Sequence, residues 1–212
     1  MSRPLIVTDC DEVLLHMVVP FRDWLASEHR VVFDFGVGGA TFSMTHHGSG
    51  MALTPAETWP LLRAFFATEM HRQYPISGAI EAIGRLEQIA DVVVLTNIGE
   101  QEREGRMAQL AAVGVHHRVV CNQGGKGPAL AKLVAEFGPS AVVFIDDIAS
   151  NHESVAEIAP DTWRLQFVGE PELAVHIKPS RHAHARIDSW AEAEAWVRDH
   201  AMAGIAAGPV PA

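Results

Sequence analysis

Short apolar runs separated by amphipathic stretches set the rhythm of the chain. Leu5-Ile6-Val7, Val92-Val93-Val94-Leu95, Val119-Val120-Cys121 and Ala141 to Ile145 are brief and largely β-branched. That is the pattern of strands buried on both faces of a parallel sheet. Between them, Gly78 to Gln88, Glu100 to Ala112 and Pro128 to Gly138 read as helices, the last two stopped by Gly114 and Gly138. Strand alternating with helix predicts an α/β fold built on a doubly wound parallel sheet. Trp163 to Val168 alternates apolar and polar positions like a less buried strand. Ser150-Asn151-His152-Glu153 and Ser189-Trp190-Ala191-Glu192 have capping-box spacing and are expected to open two more helices.

One stretch breaks this rhythm directly after the first strand. Pro20 suits the first turn of a helix reaching about Arg30, with Phe21, Trp24 and Leu25 on one face. Val31 to Met44 then alternates on both sides of a glycine-rich turn, which predicts a hairpin. Thr54-Pro55-Ala56-Glu57 is a capping box with proline at the first helical position, opening a helix that carries Trp59, Leu62, Phe66 and Met70. The expected division is a core from 1–16 and 75–200, an insertion from 17–74, and a flexible tail from 201–212, where the sequence AMAGIAAGPVPA looks frayed.

A chain of 212 residues that is 48% hydrophobic can bury a full core, one domain with a modest insertion. Its 16 basic and 26 acidic residues leave a formal net charge of −10, with no basic run able to follow a phosphate backbone. Nucleic acid is therefore not an expected partner, and a negative field suits a site that recruits a divalent cation. Cys10 and Cys121 lack the spacing of a zinc knuckle or a disulfide framework. No signal-peptide core or membrane-length apolar run is legible, so a cytoplasmic protein with no membrane partner is expected.

The predicted strands end on polar residues of particular kinds. Asp9 and Asp11 follow Leu5-Ile6-Val7, Thr96-Asn97 follows Val92 to Leu95, and Asp146-Asp147 follows Ile145. Lys126 lies in the turn Gly124-Gly125-Lys126-Gly127 ahead of a helix. In an open α/β sheet all of these fall at the carboxyl edge, where ligands bind. Together they make sense as a phosphoryl-transfer site. A carboxylate nucleophile can form an acyl phosphate only if a cation offsets the repulsion between two anions, which points to Mg²⁺ shared by Asp9 and the Asp146-Asp147 pair. Thr96 and Lys126 are donors for the phosphoryl oxygens, and Asp11 is left for proton transfer.

These motifs, in this order, resemble those of the haloacid dehalogenase-like hydrolases. Asp9-Cys10-Asp11-Glu12-Val13-Leu14 is similar to the first motif, D-x-D-x-[TV]-[LVI]; Leu95-Thr96-Asn97 to the second, Lys126 to the third and Ile145-Asp146-Asp147 to the fourth. The resemblance covers about Leu5 to Asn151. It implies a Rossmann-like core, Asp9 as nucleophile and Asp11 as acid/base. It also implies a phosphoryl group held by Thr96, Asn97 and Lys126, and Mg²⁺ on Asp9, Asp147, Asp146 and the Asp11 carbonyl, with Asp147 the more direct ligand of the pair. An insertion directly after the first motif is a cap in this family. Glu12 departs from the glycine that many members carry.

The implied activity is hydrolysis of a small phosphomonoester. A phosphomutase would use the same residues, whereas carbon–halogen hydrolysis has no use for Asp11, because a halide leaves without a proton. A phosphoacceptor signalling domain would place its acid pair first, and a binding protein on the same scaffold is opposed by the intact motif set. The twelve histidines read as surface or loop positions rather than a metal site, with His46 and His47 in the cap the partial exception as candidate substrate contacts, while Trp59, Phe65, Phe66 and Met70 read as packing within the cap.

Overall fold

The computed structural model describes residues 2–36 and 41–210. Six strands form one parallel sheet: β1 (Leu5–Thr8), β4 (Asp91–Thr96), β5 (Arg118–Cys121), β6 (Val142–Asp146), β7 (Trp163–Gln166) and β8 (Ala185–Arg186). Their order is β5-β4-β1-β6-β7-β8. β1 is central, with Leu5 opposite Asp91 of β4 on one side and Val142 of β6 on the other. The chain builds outward from β1 through β4 to β5, then restarts on the other side with β6. The switch point lies between β1 and β6, where a crevice opens at the strand ends.

The two-residue period of the strands sorts the core into layers. Ile6, Val92, Val94, Val143 and Ile145 pack against α3 (Ala79–Leu86), α4 (Arg103–Ala112) and α8 (Trp190–Met202). Leu5, Val7, Val93, Leu95 and Phe144 pack on the opposite face against α5 (Gly127–Phe137) and α6 (Ala149–Ile158). Each such Val or Leu, buried on both sides, contributes about 1.5–3 kcal/mol.

The insertion contains α1 (Val18–His29), an antiparallel pair of β2 (Val31–Phe35) and β3 (Phe42–His46), and α2 (Pro55–Thr68), followed by a 3₁₀ turn at Met70–Arg72. The turn of the predicted hairpin, 37–40, lies outside the described residues. The expected capping box is formed: Thr54 N–H donates to Glu57 Oε2 at 2.8 Å. Phe21, Trp24, Leu25, Val31, Phe33 and Phe65 make a separate small core, joined by Val168 and by Leu173 of α7 (Pro171–Ala174). The insertion therefore rests on the segment just after β7.

Two expectations are corrected. β7 is not a half-exposed strand: its polar positions, Arg164 and Gln166, are buried because residues 178–186 fold over them. Arg164 donates to the carbonyls of His182, Pro160 and Thr162, and Gln166 accepts from Ser180 N–H. α6 begins at Ala149, so Ser150 is inside the helix rather than its cap. In the expected tail, hydrogen bonds tie some of the described residues back to the core. α8 runs through Met202, Ala207 N–H donates to Asp161 O, and Trp163 Nε1 donates to Ile205 O. Among the described residues no helix is long and apolar enough to cross a membrane.

Candidate active site

Asp9 emerges where β1 ends, its N–H fixed to Ile145 O of β6 at 2.8 Å. Its Oδ1 accepts from Cys10 N–H at 2.6 Å, and its Oδ2 lies 2.7 Å from Lys126 Nζ. Lys126 stands at the N-cap of α5, and the close approach of α5 to α6 depends on Gly127. A Cβ there would lie 2.2 Å from Ser154 O. This approach delivers the fully buried ammonium between two carboxylates, because Nζ is also 2.7 Å from Asp146 Oδ2. Asp146, the last residue of β6, is occupied on both oxygens: Oδ1 accepts from Ile148 N–H and Asn151 Nδ2, each at 2.9 Å, and Oδ2 from Lys126. Asp147 follows and is only partly buried.

Carboxylate oxygens of Asp9, Asp146 and Asp147 lie within 4.8 Å of one another. Crowding and desolvation show in their protonation. Burial pushes the Asp9 carboxyl up to about 7, opposed by Lys126 and reinforced by Asp146. Burial, with Asp146 and Asp9 adding to it, also holds Asp147 well above the usual carboxylate range. Burial works against the charge on Lys126, yet Asp146 and Asp9 outweigh it and keep the ammonium protonated. An oxygen-only donor set with unmet negative charge fits a hard divalent cation. Asp146 takes four donor contacts from the protein and Asp9 two, so Asp9 and Asp147 have the more available oxygens.

Thr96 ends β4, fully buried, and its hydroxyl has no hydrogen-bond partner. An unsatisfied buried donor costs about 1–3 kcal/mol. A ligand oxygen at this strand edge would relieve that cost. Asn97 reaches the cavity, but its side chain is engaged by the neighbouring loop: Nδ2 donates to Gly124 O at 3.0 Å and Oδ1 accepts from Asn122 at 2.8 Å. Its contribution is to hold the loop that leads to Lys126.

Asp11 occupies a different environment from Asp9. Both of its oxygens accept from Arg106 Nη2, at 2.9 and 3.0 Å, and Oδ1 also accepts from Gln73 Nε2 at 2.7 Å. Arg106 belongs to α4 and is fully buried. Its Nη1 donates to Cys10 Sγ and to Gln109, and its guanidinium sits 5.7 Å from the ring centroid of Phe66 on α2. Gln73 lies on the return from the insertion. Core and insertion thus both grip the second aspartate.

Glu12 is the third acid of the turn, and its backbone φ of 58° lies in the left-handed region that favours glycine. What holds it there is visible at its ends. Its carbonyl accepts from Gly169 N–H at 2.7 Å, and its Oε1 accepts from Met17 N–H at 2.8 Å and Val18 N–H at 2.7 Å. Burial pushes its carboxyl up to about 7, against the lowering effect of these two N–H groups. Glu12 therefore anchors the start of α1, where unsatisfied amides favour an acid.

A cavity of about 710 Å³ opens over Asp9, Asp11 and Asp147, between the sheet edge and the insertion. Lys126, Thr96 and Asp146 lie behind its floor.

Of solved structures, a haloacid dehalogenase-like family hydrolase from Xanthomonas campestris aligns over 96% of this chain and 98% of its own, with 17% identity and a TM-score of 0.63. A predicted phosphoglycolate phosphatase from Haemophilus somnus aligns over 91% and 97%, at 13% identity and 0.60, and an L-2-haloacid dehalogenase over 92% and 100%, at 10% and 0.58. The fold is that of the haloacid dehalogenase-like hydrolases. No protein-family profile and no curated protein matches the chain in sequence.

Within this haloacid dehalogenase-like fold, two groups of residues depart from expectation. His46 and His47 do not line the cavity. His46 Nε2 lies 3.2 Å from Glu57 Oε1, and His47 lines a separate outer depression with Arg22 and Arg30. Trp59, Leu62 and Phe66 line the cavity; Phe65 is buried in the insertion's core and Phe66 packs against it as expected, whereas Trp59 does not. The one sequence signal for Arg106 was its position four residues before Leu110, the other buried side chain of α4.

Proposed function

We propose that the protein is a Mg²⁺-dependent phosphatase that hydrolyses a small phosphomonoester through an aspartyl phosphate on Asp9, with the 17–74 insertion acting as its cap. The observation that carries this reading is the pair of carboxylates two residues apart in unlike settings. Asp9 is locked beside Lys126 and the Asp146-Asp147 pair, whereas Asp11 stands over the same cavity in its own ion pair. Pairs of acids in separated environments are how one site divides nucleophilic and proton-transfer work.

In this scheme an Asp9 oxygen attacks phosphorus as the ester bond to the leaving oxygen breaks. Asp11 supplies the proton that the leaving alkoxide takes. It then accepts one from the water that attacks the acyl phosphate, which restores Asp9 and releases inorganic phosphate. To carry a proton Asp11 gives up at least part of its grip on Arg106 and Gln73, and Gln73 ties that release to the insertion. Lys126 and the unpartnered Thr96 hydroxyl face the charge that builds on the transferred oxygens. Mg²⁺ held by Asp9 and Asp147, with Asp146 behind them, supplies the positive charge that lets two anions meet.

A dehalogenase would share Asp9 but leave Asp11 and its buried Arg106 without a task, which disfavours that reading. The test is release of inorganic phosphate from a panel of phosphomonoesters in Mg²⁺. Turnover is expected to disappear in chelator and in Asp9→Asn. Activity unchanged in chelator would overturn the metal assignment, and activity in Asp9→Asn would overturn the covalent one.

A further inference from the structure

The cavity wall names a substrate class that the floor alone does not. Three residues of α2 at positions i, i+3 and i+7, Trp59, Leu62 and Phe66, present one apolar face to it. Phe42 of β3, which neighbours Trp59, and Leu173 and Ile177 of the α7 segment add further apolar lining. Two of these aromatics are open to solvent, Trp59 at 57% and Phe42 at 45% relative exposure, although the insertion has a core in which Phe65 and Phe33 are buried. Among the described residues no Lys, Arg or His side chain lines the cavity. The charged groups that do are Asp9, Asp11, Glu12 and Asp147, all acids. Arg106 is near but does not line the cavity: its Nη donors go to Asp11, Cys10 and Gln109, its Nε is buried without a partner, and Phe66 lies over it. The amide of Asn97 is likewise engaged with the neighbouring loop.

Such a wall has no cation for a second carboxylate or phosphate. Beyond the side chains of Thr41 and Gln123 it has few uncommitted polar groups to replace the water that a sugar's hydroxyls would lose on entry. Apolar surface on the ligand, by contrast, would cover the exposed rings of Trp59 and Phe42 and leave only the phosphoryl group at the acidic floor. Resting on the phosphatase reading, we infer that the substrate is the monophosphate ester of an apolar alcohol, alkyl or aryl, with a single anionic group. The cavity volume is in the range that encloses a ligand of drug-like size.

The experiment compares n-octyl phosphate with glycerol phosphate and phosphoglycolate, esters of alkyl alcohols that differ chiefly in polarity. Phosphate release is measured with the 212-residue chain in Mg²⁺, and octylphosphonate binding is followed in parallel by calorimetry. Octyl phosphate is expected to exceed both polar esters in kcat/KM by at least about tenfold, the scale on which apolar pockets discriminate. Trp59→Ala and Phe42→Ala, both at exposed positions, should shrink that ratio and weaken octylphosphonate binding. Phosphate release with polar esters turned over equally well or better would overturn the inference and leave the phosphatase reading standing. A ratio and a phosphonate affinity unchanged in both variants would overturn the assignment to this wall. Octylphosphonate binding without hydrolysis of any ester would overturn the phosphatase reading, and the substrate with it.

Discussion

Lys126→Met removes the one ammonium that two buried carboxylates share. In the native protein Nζ is 2.7 Å from Asp9 Oδ2 and 2.7 Å from Asp146 Oδ2, and Lys126 and Asp146 are fully excluded from solvent. Breaking a buried ion pair by deleting one partner costs about 3–5 kcal/mol, because the remaining charge has neither water nor a counter-ion. Here two charges are left, but Asp9 already has a carboxyl pushed up to about 7 and can take a proton instead, which keeps the loss within that range. For a chain of this length about 2–4 °C of melting temperature accompanies each kcal/mol, so Tm should fall by roughly 6–20 °C. The assay is thermal unfolding in chelator at neutral pH, repeated with Mg²⁺. Because the cation would occupy the same carboxylates, the Mg²⁺-induced rise in Tm should be larger in the variant than in the parent. A variant that melts within about 2 °C of the parent in chelator would refute the idea that Lys126 neutralises the site.

Arg106→Gln should lower kcat on the order of 10²-fold with little change in KM, since the guanidinium positions Asp11 rather than the substrate; a change confined to KM would contradict this. Glu12→Gly should be more stable than Glu12→Ala by about 1 kcal/mol in urea denaturation, because both lose the contacts to Met17 and Val18 but only glycine accepts a φ of 58° without strain. His152 is fully buried, its Nε2 3.0 Å from Asp146 O, and burial lowers its pKa. Below about pH 6.5 the unfolded chain takes a proton that the folded histidine refuses, so this group lowers stability as pH falls. His152→Gln should flatten the loss between about pH 6.5 and 5, and parallel curves for variant and parent would refute the assignment.

What the sequence made legible follows from what each signal depends on. β1, β4 and β6 were readable because a strand buried on both faces needs an unbroken apolar run. Their polar ends were readable because Asp9, Thr96 and Asp146 stand within two residues of such runs. β7 was read as less buried because the cover over Arg164 and Gln166 comes from residues 178–186, a long-range fact with no local trace. The same holds for Arg106, which sits in an otherwise polar helix and is identified only by the Asp11 carboxylate it meets across 95 positions. The aromatic residues of α2 looked like packing because helical spacing gives the face but not what lies opposite it. In the fold, Phe65 faces the insertion's own core and Trp59 faces the cavity over Asp9.

The central claim, that Asp9 takes the phosphoryl group before water does, is tested most directly by the stereochemical course at phosphorus. A phosphomonoester made chiral at phosphorus with sulfur and oxygen isotopes is hydrolysed by the Mg²⁺-loaded protein, and the configuration of the released thiophosphate is determined. Two successive in-line displacements, first by Asp9 and then by water, predict overall retention. Inversion would mean that water attacks the ester directly, and would contradict the role assigned to Asp9.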